Sequence, residues 1–93
     1  MNVTITTNRG KTFNVSSICV PMLDESLCII ELKDERHPAE IFADFDGLET
    51  IIKTDDVTDK VKHFDGFTSL VGFQRLKAGH VRLTLEKGAE TNG

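Results

Sequence analysis

Ninety-three residues, 39% of them hydrophobic and with six Phe but no Trp or Tyr, suffice for one modest core and are too few for two. That hydrophobic content excludes global disorder, no segment approaches membrane-spanning length, and the opening residues hold no apolar stretch of signal-peptide length. The expectation is a cytoplasmic protein with one globular domain over residues 1–87, and its formal charge of −4 speaks against general nucleic-acid binding.

In chain order, the first element is a hairpin. Val3 and Ile5 alternate with threonines, Phe13 and Val15 alternate beyond "NRG", and Gly10 suits the left-handed position of a three-residue loop. Pairing Thr7 with Lys11, Ile5 with Phe13 and Val3 with Val15 puts every apolar side chain on one face. The strand runs on through "SSICV" to Pro21. A second strand is predicted over Ser26–Lys33. If the chain folds back at Leu23-Asp24, Val20 faces Leu27 and Cys19 faces Cys28, so the two thiols are expected to be neighbours. Their spacing fits no zinc or redox motif, and two buried, reduced thiols are expected.

"DERHPAEIFADF" changes period. Pro38 suits the first helical position, His37 or a neighbour the cap, and Gly47 the stop, which predicts a short helix at about residues 38–46. Ile41, Phe42 and Phe45 are expected to share its apolar side. Strand signals return with "LETIIK", "DKVKHF", "FTSLVGFQRL" and "HVRLTLEK"; in the last, Val81, Leu83 and Leu85 point inward and Arg82, Thr84 and Glu86 outward. Residues 88–93 have nothing to bury and are expected to fray. The fold class is therefore α+β: a mostly antiparallel sheet of six or seven strands, hairpins at both ends, and one short helix. Its inward set is Val3, Ile5, Phe13, Val15, Ile29, Ile41, Phe45, Ile51, Phe67, Val81, Leu83 and Leu85.

Phe-Asp-Gly occurs twice, at Phe45-Asp46-Gly47 and Phe64-Asp65-Gly66. The first ends the helix and the second joins two strands, so the flanking elements differ and a true repeat is excluded. The tripeptide reads as one turn used twice, with Asp bonding local backbone, Gly taking the awkward φ and Phe anchoring the turn. As calcium loops both fail: Gly47 at the sixth position puts Phe42 first and Lys53 twelfth, and Gly66 puts Val61 first and Gly72 twelfth.

Asp55, Asp56 and Asp59 cluster in a polar connection that reads as a solvated turn rather than an acid–base pair. His37, His63 and His80 share no ligand spacing. With no nucleophile motif or phosphate-cradling loop, a non-enzymatic protein without metal or cofactor is expected, and no small-molecule substrate is inferred. The charge is polarised instead. Residues 1–59 hold twelve acids against five Lys/Arg, whereas 60–87 hold six Lys/Arg against two acids. With Ala78-Gly79 as a two-residue loop, Lys77 faces His80 and Arg75 faces Arg82. Two arginines directly opposite repel each other, so this face is expected to attract an anion or an acidic partner. Arg75, Lys77, His80 and Arg82 are the candidate partner-binding residues.

Across residues 3–87 the pattern of turns and alternation resembles small proteins from phage and prophage tail-region operons of Gram-positive bacteria. Phe64-Asp65-Gly66-Phe67-Thr68-Ser69-Leu70, Val81-Arg82-Leu83-Thr84-Leu85-Glu86-Lys87 and the opening "TTNRGKTFNV" carry the resemblance. The acidic "LDESLC" turn and the two cysteines depart from it. It implies no catalytic residue or cofactor. The expected function is a structural, assembly or protein-interaction module, self-association included, acting in the cytoplasm or built into a virion. The alternative is a small regulatory binder of host protein or nucleic acid through the basic hairpin.

Overall fold

Alternation, turn chemistry and register agree in the first hairpin. In a computed structural model that describes residues 3–55 and 60–88, β1 (Val3–Thr7) and β2 (Thr12–Cys19) pair antiparallel with Val3 opposite Val15 and Ile5 opposite Phe13. Thr7 N–H donates to the Lys11 carbonyl at 2.8 Å, and Gly10 has φ +80°. β3 (Leu27–Lys33), β4 (Thr50–Asp55), β5 (Lys60–Asp65), β6 (Phe67–Arg75) and β7 (His80–Lys87) complete one antiparallel sheet in the order β5-β4-β1-β2-β3-β7-β6. The single helix, α1 (Pro38–Phe45), lies between β3 and β4 in sequence. Asp56 and Asp59 of the polar connection, and the tail beyond Gly88, lie outside the described residues.

The helix starts where Pro38 and its cap place it. His37 Nδ1 accepts from Ala39 N–H at 3.1 Å, leaving an acid, Glu40, in the first turn. Ile41 and Phe45 are fully buried, with the Phe45 ring 4.8 Å from that of Phe13. Phe42 departs from expectation. It stands at the flank, 38% exposed, against Phe73, while Asp44 takes the buried place on that face. Arg9, from the β1–β2 loop, donates to the Ala43 and Asp46 carbonyls and so satisfies helix C-terminal acceptors.

The two edge strands are consecutive in the chain, separated only by Gly66, so the sheet's two edges converge at that turn. There the two Phe-Asp-Gly turns lie together. Gly47 N–H donates to the Thr68 carbonyl at 2.7 Å, and Gly66 N–H to the Glu49 carbonyl at 2.6 Å. Both glycines have positive φ, +76° and +83°. Asp46 does not bond local backbone as expected; its Oδ1 accepts from Leu70 N–H on β6 at 3.0 Å. The two copies share a glycine of positive φ at the place where the sheet's edges converge, but not the bonding expected of their aspartates.

Two registers differ from expectation by one residue, and a one-residue slip reverses every side chain it carries. The β2–β3 pairing shifts between Val15 and Ser17, after which Ile18 faces Ile30 and Cys19 faces Ile29. Cys28, Ile30 and Leu32 therefore enter the core and Ile29 leaves it for the outer face. The extra residue is a β-bulge, and it explains why buried Val15 and Ile18 are three apart rather than two. The thiols are not a buried pair: Cys19 is exposed, Cys28 is buried, and both are free.

Burial, and secondarily the Cys19 sulfur, pushes the Cys28 thiol up to about 12. A chromogenic disulfide reagent at pH 8 is accordingly expected to titrate one thiol quickly and the second only with denaturant. Cys19→Ser should abolish the fast phase. Two equally fast thiols would mean that the β2–β3 register is wrong.

Candidate functional site

The candidate basic residues lie where β6 returns into β7, and the second register difference determines how they are presented. The turn is a 3-10 turn of three residues, Lys77–Gly79, closed by Leu76 N–H donating to the His80 carbonyl at 2.7 Å. Ala78 and Gly79 both have positive φ, at 58° and 77°. A side chain on Gly79 would meet Glu35 at 2.7 Å, so the turn sits tightly on the segment before the helix. Arg75 then stands opposite Val81 and Gln74 opposite Arg82, not arginine opposite arginine. Directly opposite residues share a face and successive ones alternate, so the two arginines leave the sheet from opposite faces.

That arrangement removes the repulsion on which the sequence argument rested. Arg75 Nη2 donates to the Arg36 carbonyl at 3.1 Å, and its guanidinium lies 5.8 Å from the Phe73 ring centroid. Arg82 Nε is 3.6 Å from Glu31 Oε2, and its Nη1 donates to Gln74 Oε1 at 3.3 Å. His80 opens β7 opposite Lys33. Arg75, Lys77 and His80 nevertheless border one open groove of about 720 Å³, together with Ser16, Glu31 and Leu76. Arg82 does not line the groove and touches it only through its ion pair with Glu31.

Sequence reasoning missed Ser16, Glu31 and Leu76. Ser16 is supplied by the β2 bulge, for which the three-residue spacing of Val15 and Ile18 was an available signal. Leu76 gives the groove an apolar element between Arg75 and Lys77.

A second polar constellation lies on the helix side. Arg36 holds Asp34 through Nε–Oδ1 at 3.0 Å and Nη2–Oδ2 at 2.7 Å, and the same Nη2 is 2.7 Å from Asp44 Oδ2. That last approach is an ion pair rather than a well-aligned hydrogen bond, and the buried Asp44 Oδ2 has no hydrogen-bond donor of its own. Lys11 Nζ meets Asp44 Oδ1 at 2.5 Å. Hydrogen bonds from Arg36 hold the Asp34 carboxyl below its ordinary range against the opposing effect of burial. Burial alone would raise Asp44, but Lys11 and Arg36 outweigh it and lower this carboxyl too. Arg36 is raised in turn by both carboxylates. Each carboxylate of the cluster is paired with a cation of the chain, and the pairs tie Asp44 of the helix to Lys11 and Arg36.

Among the described residues, no three His, Cys, Asp or Glu side chains gather as a metal site, and no helix is long and apolar enough to cross a membrane. The arrangement at the β6–β7 end is suited to receiving a carboxylate or other anion beside an apolar contact. Comparison with known protein families, with curated proteins and with solved structures found no match for this chain.

Proposed function

We propose that the chain is a non-enzymatic protein-interaction module of structural or assembly type, which engages an acidic surface through the β6–β7 end. The observation that carries this reading is the groove itself: Leu76 between the cations Arg75 and Lys77, with His80 at its rim. Arg75 is already ordered by Arg36 and Phe73, so less conformational entropy is lost when a partner binds. Charge on such a rim governs encounter rate and orientation, and apolar contact supplies affinity. The resemblance to phage and prophage tail-region proteins supports an assembly role, in the cytoplasm or within a virion.

The test compares the parent with Arg75→Glu/Lys77→Glu, each immobilised and exposed to nuclease-treated bacterial lysate. The reading expects proteins that bind the parent, elute as salt rises and are absent from the variant. Identical capture by both chains, or none by either and no self-association, removes it. If nuclease treatment removes everything that the parent captures from untreated lysate, the nucleic-acid alternative replaces it.

A further inference from the structure

The β2–β3 hairpin ends in an apex that is unusual for an exposed turn. Met22 and Leu23 occupy its two corner positions and are 95% and 101% exposed. The apex is well defined, with Asp24 N–H donating to the Pro21 carbonyl at 3.2 Å and Leu27 N–H to the Asp24 carbonyl at 3.3 Å. Asp24 Oδ1 also accepts from Ser26 N–H at 3.1 Å. Pro21 fixes φ at the start of the turn. Two exposed apolar side chains are thus held at the apex of a hydrogen-bonded turn, and two exposed acidic residues, Asp24 and Glu25, follow them in the chain.

The basic groove has the reciprocal character and lies at the other end of the same ladder. β3 and β7 run from Leu27 opposite Glu86, beside the apex, to Lys33 opposite His80, beside the groove. Six steps of strand put the two ends about 20 Å apart. A single chain cannot bring its own apex to its own groove, whereas a neighbouring copy can.

We infer that the chain associates head to tail, the Met22-Leu23 apex of one copy seated against Leu76 of the next, with Glu25 and Asp24 facing its Arg75, Lys77 and His80. This rests on the reading of the groove as a protein-binding surface and names its occupant as a second copy. The alternative self-contact, β5 against β5 across a two-fold axis, is disfavoured by charge in the register centred on Lys62. Keeping both faces in register and centring on Lys62 sets lysine directly against lysine, next to Lys53, which already faces Lys62. A head-to-tail contact is heterologous, so it closes into a ring or continues as a filament.

Sedimentation velocity tests this with three chains: the parent, the apex variant Leu23→Lys/Glu25→Lys and the groove variant Arg75→Glu/Lys77→Glu. Both apex residues are exposed, so that variant should keep the parent's circular dichroism spectrum. The parent is expected to gain mass with concentration below about 1 mM, and less so as salt rises. Each variant alone should remain monomeric. Mixed in equal amounts, they should form a dimer that stops at two, because only one intact apex and one intact groove can meet. A parent that stays monomeric to about 1 mM, or assemblies that survive the apex variant, overturn the inference. In the first case, lysate capture lost in the groove variant would leave the interaction reading standing with a different occupant, and no such capture would remove both.

Discussion

Arg36→Met is expected to destabilise the protein by about 2–3 kcal/mol at neutral pH, and by clearly more than Asp44→Asn. Removing one partner of a buried ion pair costs about 3–5 kcal/mol because the other charge is left without compensation. Here the two carboxylates are the buried partners, with side chains 7% and 8% exposed, and Arg36 bridges them. The figure is reduced because Arg36 is itself 38% exposed, so water screens part of what it supplies. In Asp44→Asn the bereft groups are cations, and Lys11 at 55% exposed simply returns to water. About 1–2 kcal/mol is expected there, mostly the lost hydrogen bonds.

The pH dependence separates charge from packing. Both carboxyls are lowered in the folded state, so their contribution is fully present above the ordinary carboxylate value of about 4 and is lost as pH falls through the lower folded values. In Arg36→Met the depression of Asp34 is lost and that of Asp44 is weakened, Lys11 alone remaining to lower it. Urea denaturation of parent and variant should therefore show a gap that is wide at pH 7 and narrows below about pH 4. An equal gap at pH 7 and pH 3 would mean that Arg36 acts through its aliphatic stem alone.

How much of this was readable in the sequence depends on whether polarity and period agreed locally. In the first hairpin they did: alternation in "VTITT" and "TFNV", with Gly10 between, allows one register, and that register forms. "HVRLTLEK" is equally clear, its apolar residues being fully buried. "LCIIELK" is not, because apolar side chains occupy both faces: Cys28, Ile30 and Leu32 go inward while Leu27 and Ile29 remain half-exposed. Only the preceding bulge decides between them. The basic hairpin was misregistered because a two-residue Ala-Gly loop is the natural reading, and Ala78 bears a positive φ that its side chain does not advertise. The location of the basic end was nevertheless readable, and its facing pairs were not. Asp44 could have been found, since Ile41, Asp44 and Phe45 fall three and four apart on one helical face. A charged residue there looks like surface until its cations, Lys11 and Arg36, are brought beside it by the fold.

Phe45→Ala is the substitution expected to cost most, about 3–5 kcal/mol, the range for emptying a fully buried aromatic site. Against a total of roughly 5–15 kcal/mol for a domain of this size, that leaves a marginal protein. The loss should also be unevenly distributed. α1 has eight residues, too few to stand alone, and Ile41 and Phe45 are its only buried apolar residues. Without the Phe45 ring against Phe13, Arg9 and the ionic cluster must hold the helix by exposed or screened contacts. The chain leaving the helix is the same chain that closes the sheet, through Asp46 to Leu70, Gly47 to Thr68 and Glu49 to Gly66. Amide exchange in Phe45→Ala should therefore accelerate first at Gly47, Gly66 and Leu70, while Ile30, Leu83 and Leu85 at the centre of the β3–β7 ladder keep their protection until global unfolding. Phe13→Ala should open the same corner at smaller cost, with a coupling of about 1 kcal/mol between the two rings in a double-mutant cycle. Uniform loss of protection would mean that helix and sheet unfold as one unit, whereas a cost below about 1 kcal/mol for Phe45→Ala would contradict its burial. The corner thus leans on one ring because the helix's exit carries three of the hydrogen bonds that tie the sheet's two edges together beside the Gly66 link.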